Sequence, residues 1–401
     1  MFLSLLAVFP SAAQSPQPSP VVSFPDGRAS VEVPATIFNN VVYLPVAVNG
    51  SEPLEFALDT GAPDVSAVGL TNTPKLGLTE GAAMTVHGAS QKQLGVRRLD
   101  GVVLSVGGIE FRNLRAVALA LERLEPFWGH PMDGILGGNV LRQVVTCVDY
   151  ARGRVTFFRP QDFEPSGRGE SVPIEVEDNT LFMSAAVTAG DGRPAGTGRF
   201  LIDTGVRQSF LNTPFVRRHR LVEASDRVVE TVTGFGISGP AFGTLGRLGS
   251  ISLGASTLEQ PIVQLCTEDS GIAASTSFDG ILGADLVSRF SVCFDYGGNR
   301  MFLDPGPETF NPFVADASGL VFKASGDRPS SFSIAHVVED SPADKAEVYI
   351  GDVVVAVDGR PASEFSLESL KTAMQGSGET CVRLRRDGTT RDVCFELRPL
   401  V

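Results

Sequence analysis

The sequence runs to 401 residues with 43% hydrophobic content, long enough for two or three domains with cores of their own. Its net charge of −13 and lack of any extended basic run exclude nucleic-acid or anionic-membrane binding through a basic patch. The 43 glycines and 26 prolines favour turn-rich β structure over helical bundles.

From the N-terminus, the apolar stretch Phe2 to Phe9 followed by Ser11, Ala12 and Ala13 reads as a signal-like segment, and QSPQPSP from Gln14 as a Pro/Ser linker. Together they make up residues 1–22 and point to export, periplasmic or secreted. No run of about 20 apolar residues occurs, so no transmembrane span is expected.

A first lobe follows over residues 23–163. Its strand-like Phe56-Ala57-Leu58 runs into Asp59-Thr60-Gly61, which places a carboxylate where a buried strand ends in a tight turn. Residues 85–90, with His87 and Gly88, combine glycine with small and apolar side chains, as a lid over a substrate would need. Asp133-Gly134-Ile135-Leu136-Gly137 precedes a short helix expected over residues 139–144, and Cys147-Val148-Asp149-Tyr150 comes next. A polar stretch, QDFEPSGRGES, joins this lobe to the following one.

Residues 164–309 repeat the same order. Phe200-Leu201-Ile202 runs into Asp203-Thr204-Gly205, a second lid candidate holds Gly234, Phe235 and Gly236, and Asp279-Gly280-Ile281-Leu282-Gly283 precedes a helix expected over residues 285–289. Cys293-Phe294-Asp295-Tyr296 closes the series. The offsets are 203 − 59 = 144 for the Asp-Thr-Gly pair and 279 − 133 = 146 and 293 − 147 = 146 for the others. A near-constant offset means two copies of one supersecondary unit, and two such copies about a pseudo-twofold axis bring their loops face to face.

A third unit occupies residues 313–401. Ser318-Gly319-Leu320-Val321-Phe322 opens it, a helical segment over residues 342–347 lies between two apolar strands, and an amphipathic helix is expected over residues 366–375 from the spacing of Leu367, Leu370 and Met374. This unit resembles a PDZ domain, with Gly319, Leu320, Val321 and Phe322 matching the carboxylate-binding loop. The resemblance implies a peptide C-terminus as partner, adding as a strand beside that loop. Ala346-Glu347-Val348 departs from the usual Ala-Gly-Leu. At the end, Asp387-Gly388 centres a hairpin, and with Arg386 facing Thr389 the register sets Cys381 opposite Cys394 at a non-hydrogen-bonded pair, where a cross-strand disulfide is expected. Two buried thiols are the alternative. Cys147, Cys266 and Cys293 remain unassigned.

Two carboxylates held about 3 Å apart cannot both ionise, so they share a proton and titrate as a pair. One member then takes a proton from water while the other hydrogen-bonds a carbonyl. The duplicated Asp-Thr-Gly with its downstream Ile-Leu-Gly resembles the clan AA aspartic peptidases, and the lobe spacing resembles a fused retropepsin-type pair more than long pepsin lobes. The resemblance implies a mainly β fold of two pseudo-symmetric acid-protease lobes, here followed by the α+β PDZ unit. It further implies catalytic Asp59 and Asp203, support from Thr60, Gly61, Thr204 and Gly205, endopeptidase activity on peptide or protein substrates as a monomer, and no cofactor. The second motif departs from the family at Val206-Arg207, where Ala or Ser is usual. An inert peptide-binding or scaffold protein with the same fold therefore stays open. The four histidines, His87, His130, His219 and His336, have no metal-ligand spacing, so no metal is expected.

Overall fold

A computed structural model describes residues 20–63, 65–87, 93–236, 239–324 and 331–401. The signal-like stretch, Asp64, Gly88 and both lid tips lie outside the described residues.

The strands follow the apolar patterning. Val41–Val48 is buried along most of its length, as a strand covered on both faces must be, and it pairs antiparallel with Leu54–Leu58. That strand runs parallel to Gly134–Leu136, with Leu58 opposite Leu136, and Gly134–Leu136 is flanked on its other side by antiparallel Ser66–Gly69. The second lobe repeats the pattern. Pro194–Ile202 runs parallel to Gly280–Leu282, which is flanked by antiparallel Phe210–Leu211. In each lobe the Asp-Thr-Gly begins one residue after the strand ends.

A third sheet ties the lobes together. Val145–Asp149 pairs antiparallel with Phe290–Asp295 so that Cys147 faces Cys293, and further strands continue outward from each lobe. These cysteines, 146 residues apart, are joined by a disulfide with Cα atoms 3.9 Å apart. A residue that faces its own repeat equivalent marks the pseudo-twofold axis. Cys266 is a buried free thiol. The polar joining stretch contributes Glu170–Pro173 to the edge of this sheet. Only Val172 of that strand is buried, the profile of a solvated edge, which an apolar search passes over.

One continuous core runs through both lobes and the C-terminal unit has its own. Its sheet has the order Leu320–Ala324, Phe332–Val337, Val353–Val357, Gly378–Arg386, Thr389–Leu397, so Leu320–Ala324 is an edge strand. Asp387 and Gly388 have φ of 47° and 80°, the left-handed pair that a two-residue hairpin needs. Cys381 lies opposite Cys394, and the two are disulfide-bonded.

The helices are shorter than the spacing predicted. Leu367–Ala373 starts after Ser366 because Ser366 is its cap, accepting from the Ser369 N–H and donating its own N–H to Ser369 Oγ. Pro342–Lys345 stops early as Glu347 turns to a φ of 61°. Gly138–Leu141 and Ala284–Val287 are single turns. The basic run at Arg217, Arg218 and His219 ends helix Thr213–His219, where positive charge suits the carbonyl end.

Candidate active site

Each lobe delivers its aspartate through the same local wiring. The Asp59 N–H donates to the Leu136 carbonyl and the Asp203 N–H to the Leu282 carbonyl, both at 3.0 Å, so the downstream Ile-Leu-Gly strand anchors the loop. Asp133 Oδ2 accepts the Glu55 N–H at 3.0 Å, and Asp279 Oδ2 accepts the Arg199 N–H at 2.9 Å. The conspicuous Asp-Gly-Ile-Leu-Gly aspartates thus fasten the strand that carries the motif.

At the axis the two loops interlock. Thr60 Oγ1 donates to the Ile202 carbonyl and Thr204 Oγ1 to the Leu58 carbonyl, each at 2.8 Å. The same hydroxyls accept the Thr204 and Thr60 N–H groups, each at 3.1 Å. All four bonds cross between lobes and all are buried. Asp59 Oδ1 accepts N–H groups from Gly61 and Ala62 at 2.9 and 3.0 Å, and Asp203 Oδ1 accepts from Gly205 and Val206 at 2.9 and 3.1 Å.

The two carboxylates approach each other over the glycines. A Cβ on Gly61 would lie 2.1 Å from Asp203 Oδ2, and one on Gly205 would lie 2.5 Å from Asp59 Cγ. Neither aspartate has any accessible surface. Burial first, and then the neighbouring Asp203 charge, push the Asp59 carboxyl well above the usual carboxylate range, against the opposing N–H bonds from Gly61 and Ala62. Such a pair holds one proton across a wide pH range.

Hairpin Thr79–His87 with Gln93–Asp100 and hairpin Val228–Gly236 with Gly239–Arg247 rise from the two lobes. His87 ends one strand, while Gly88 lies outside the described residues. Gly234, Phe235 and Gly236 fall at the end of the second hairpin's outgoing strand, and the Phe235 ring stacks on Phe127 of the first lobe with centroids 3.7 Å apart. In the C-terminal unit Gly319 has a φ of 84°, and a Cβ there would meet Ser341 at 2.2 Å. Leu320, Val321 and Phe322 begin the edge strand, but two amides of this loop are already engaged: Gly319 N–H donates to Asp316 Oδ2 and Leu320 N–H to Ser318 Oγ.

The model of the aspartyl protease family matches residues 44–140 and 185–286, one segment per lobe, and the PDZ domain model matches residues 333–385. The chain carries a retropepsin-like aspartyl protease segment in each lobe. It joins two fused Asp-Thr-Gly lobes of acid-protease architecture to a PDZ domain. Solved structures similar to it include an aspartic proteinase from Irpex lacteus, at 12% identity over 71% of this chain and 99% of that one with a TM-score of 0.44. Basic 7S globulin from soybean is similar at 11% identity over 69% and 94%, with a TM-score of 0.41. No curated protein matches the chain.

Two features of this protease-family site escaped the sequence. The buried Tyr296 lies close enough to feel the charges of both Asp59 and Asp203, and these together with burial raise its phenol far above the ordinary value, burial being the larger cause. Its place at the end of the repeated Cys-x-Asp-Tyr was the available signal. The other is Arg207, four residues after Asp203, which the sequence marked only as a departure from the family and whose charge acts on the buried Tyr43 of the first lobe. Among the described residues no group of three or more His, Cys, Asp or Glu is placed to hold a metal ion.

Proposed function

We propose that the protein is an aspartic endopeptidase in which Asp59 and Asp203, sharing one proton, activate a water molecule for attack on a peptide carbonyl. The observation that carries this reading is the reciprocal clasp of Thr60 and Thr204, which holds two buried carboxylates against each other across the lobe junction. The ionised carboxyl takes a proton from water as the oxygen bonds to the carbonyl carbon, and the protonated carboxyl hydrogen-bonds the carbonyl oxygen. The resulting tetrahedral species collapses when a proton reaches the amine and the C–N bond breaks. Val206 supports the pair through its backbone N–H, as Ala62 does in the first lobe, so its side chain leaves the local hydrogen bonding unchanged. The protein works as an exported single chain, and its PDZ domain binds a segment of the substrate or of a partner peptide.

Mass-spectrometric profiling of a peptide library across pH tests this. The parent protein is expected to cleave internal bonds with a bell-shaped dependence of kcat/KM on pH, and Asp59→Asn and Asp203→Asn are each expected to abolish turnover. Equal cleavage by parent and variants, or no cleavage by the folded parent, overturns the proposal. The second of these results leaves the inert peptide-binding reading.

A further inference from the structure

The second hairpin, Val228–Gly236 with Gly239–Arg247, is held at two points outside its own lobe. On its outgoing strand the Phe235 ring stacks on Phe127 at an interplanar angle of 12°, and both rings pack against the first-lobe cluster that includes Ala62 and Trp128. Ala62 is the residue whose N–H supports Asp59. On the returning strand Phe242, 58% exposed, meets His336 of the PDZ sheet edge to face, with ring centroids 5.6 Å apart. The hairpin is thus fastened to the first lobe and to the PDZ domain at once.

Helix Glu125–Trp128, which carries Phe127, completes the junction. Trp128 anchors it in the first lobe. The helix also packs against the PDZ edge strand Leu320–Ala324, which among the described residues pairs only with Phe332–Val337. Gly129 then leaves the helix at a φ of 73°, and a Cβ there would lie 2.8 Å from Leu367 Cβ on the PDZ helix Leu367–Ala373. The domain is tied to the second lobe as well, since Arg227 donates to the Pro399 carbonyl and Arg247 to the Val401 carbonyl. A cavity of about 550 Å³, lined by Phe127, Phe235 and Leu320, lies where the three parts meet. A permanent interior is packed without such space, so the parts touch here through a few discrete contacts.

Asp59 and Asp203 have no accessible surface, and a peptide reaches them only when a covering element moves. We infer that the PDZ domain is an autoinhibitory clamp on the second hairpin: it holds helix Glu125–Trp128 against its edge strand and Phe242 against His336, and so keeps Phe235 stacked across the lobes. Release of the hairpin then requires the PDZ domain to let go of both. An aromatic pair is worth roughly two- to tenfold in an opening equilibrium, which suits a contact that holds at rest and yields to a partner. The inference rests on the endopeptidase reading for its effect on turnover, while the clamp itself stands on the contacts alone.

Hydrogen–deuterium exchange on the full chain carrying Asp59→Asn reads the clamp without turnover. Phe127→Ala and Phe242→Ala each remove one ring contact, and Gly129→Ala drives the helix and the PDZ domain apart at Leu367 while touching neither ring of the hairpin. All three are expected to speed exchange across residues 228–236 and 239–247 by about threefold or more. Residues 79–87 and 93–100 of the first hairpin should exchange as in the parent. In the chain with both aspartates, Phe242→Ala is expected to raise kcat/KM on a peptide library by about threefold or more. Its side chain is exposed and takes no part in the bonding of the dyad. Three results overturn the inference: second-hairpin exchange at the parent's rate in Phe242→Ala with an unchanged thermal melt, an equal rise in both hairpins, or a kcat/KM no higher than the parent's. No turnover in any form, with exchange altered as expected, retires the endopeptidase reading and leaves the clamp standing.

Discussion

At the residue scale Thr60 and Thr204 clasp the lobes: each hydroxyl donates to one carbonyl and accepts one N–H from the opposite lobe. Removing one hydroxyl leaves a buried carbonyl and a buried amide unpaired, so Thr60→Ala is expected to cost about 2–4 kcal/mol in chemical denaturation, with Thr60→Ser retaining most of the stability. Stability of the alanine variant equal to the parent would refute this role. The glycines beside them answer to a different constraint. A methyl group on Gly61 has to occupy the space of the Asp203 carboxyl, so Gly61→Ala is expected to lower kcat by at least about tenfold even where the protein still folds, read by comparing kcat with the melting temperature.

Among the elements, the strand pair at the axis carries the most consequence. The disulfide from Cys147 to Cys293 closes a loop of 146 residues between the lobes, and Cys147→Ser with Cys293→Ser is expected to cost about 2–5 kcal/mol. Denaturant midpoints of the parent and the double variant check this, and identical midpoints would rule it out. The repeated Asp-Thr-Gly and Asp-Gly-Ile-Leu-Gly segments were legible because short apolar strands that end in glycine turns leave a local pattern. The hairpin at Asp387-Gly388 was legible for the same reason, down to which cysteines face each other. The sheet across the axis was not, since its edges are polar strands such as Glu170–Pro173 and its pairing is set by how the lobes meet. A constant offset of 146 between Cys147 and Cys293 held the clue, because equivalents that meet on a twofold axis pair with each other. Helix ends were misjudged where a cap, Ser366 above all, occupied a position that periodicity counted as helical.

For the whole molecule, buried acids set the response to pH. Asp285, bonded to Ser209, has its carboxyl raised by burial to about 6, and Asp59 is raised further in the same direction. A folded-state value above the unfolded one means that the native protein binds more protons across that interval, so stability declines as pH rises from about 4 towards 6 and beyond. Denaturant unfolding is therefore expected to show a higher midpoint near pH 4 than near pH 7, with Asp285→Asn flattening the difference by roughly 1–3 kcal/mol. A midpoint that climbs with pH would contradict this. The cavity between Phe127, Phe235 and Leu320 could not be read from sequence at all, because its walls come from two lobes and a third domain that meet only in space.

The covalent tie between Cys147 and Cys293 also constrains motion. With the two central strands joined covalently there, the repeats stay tethered at equivalent residues even where their other contacts are lost. A reducing agent thus cuts a tie at the axis itself, where one repeat meets the other.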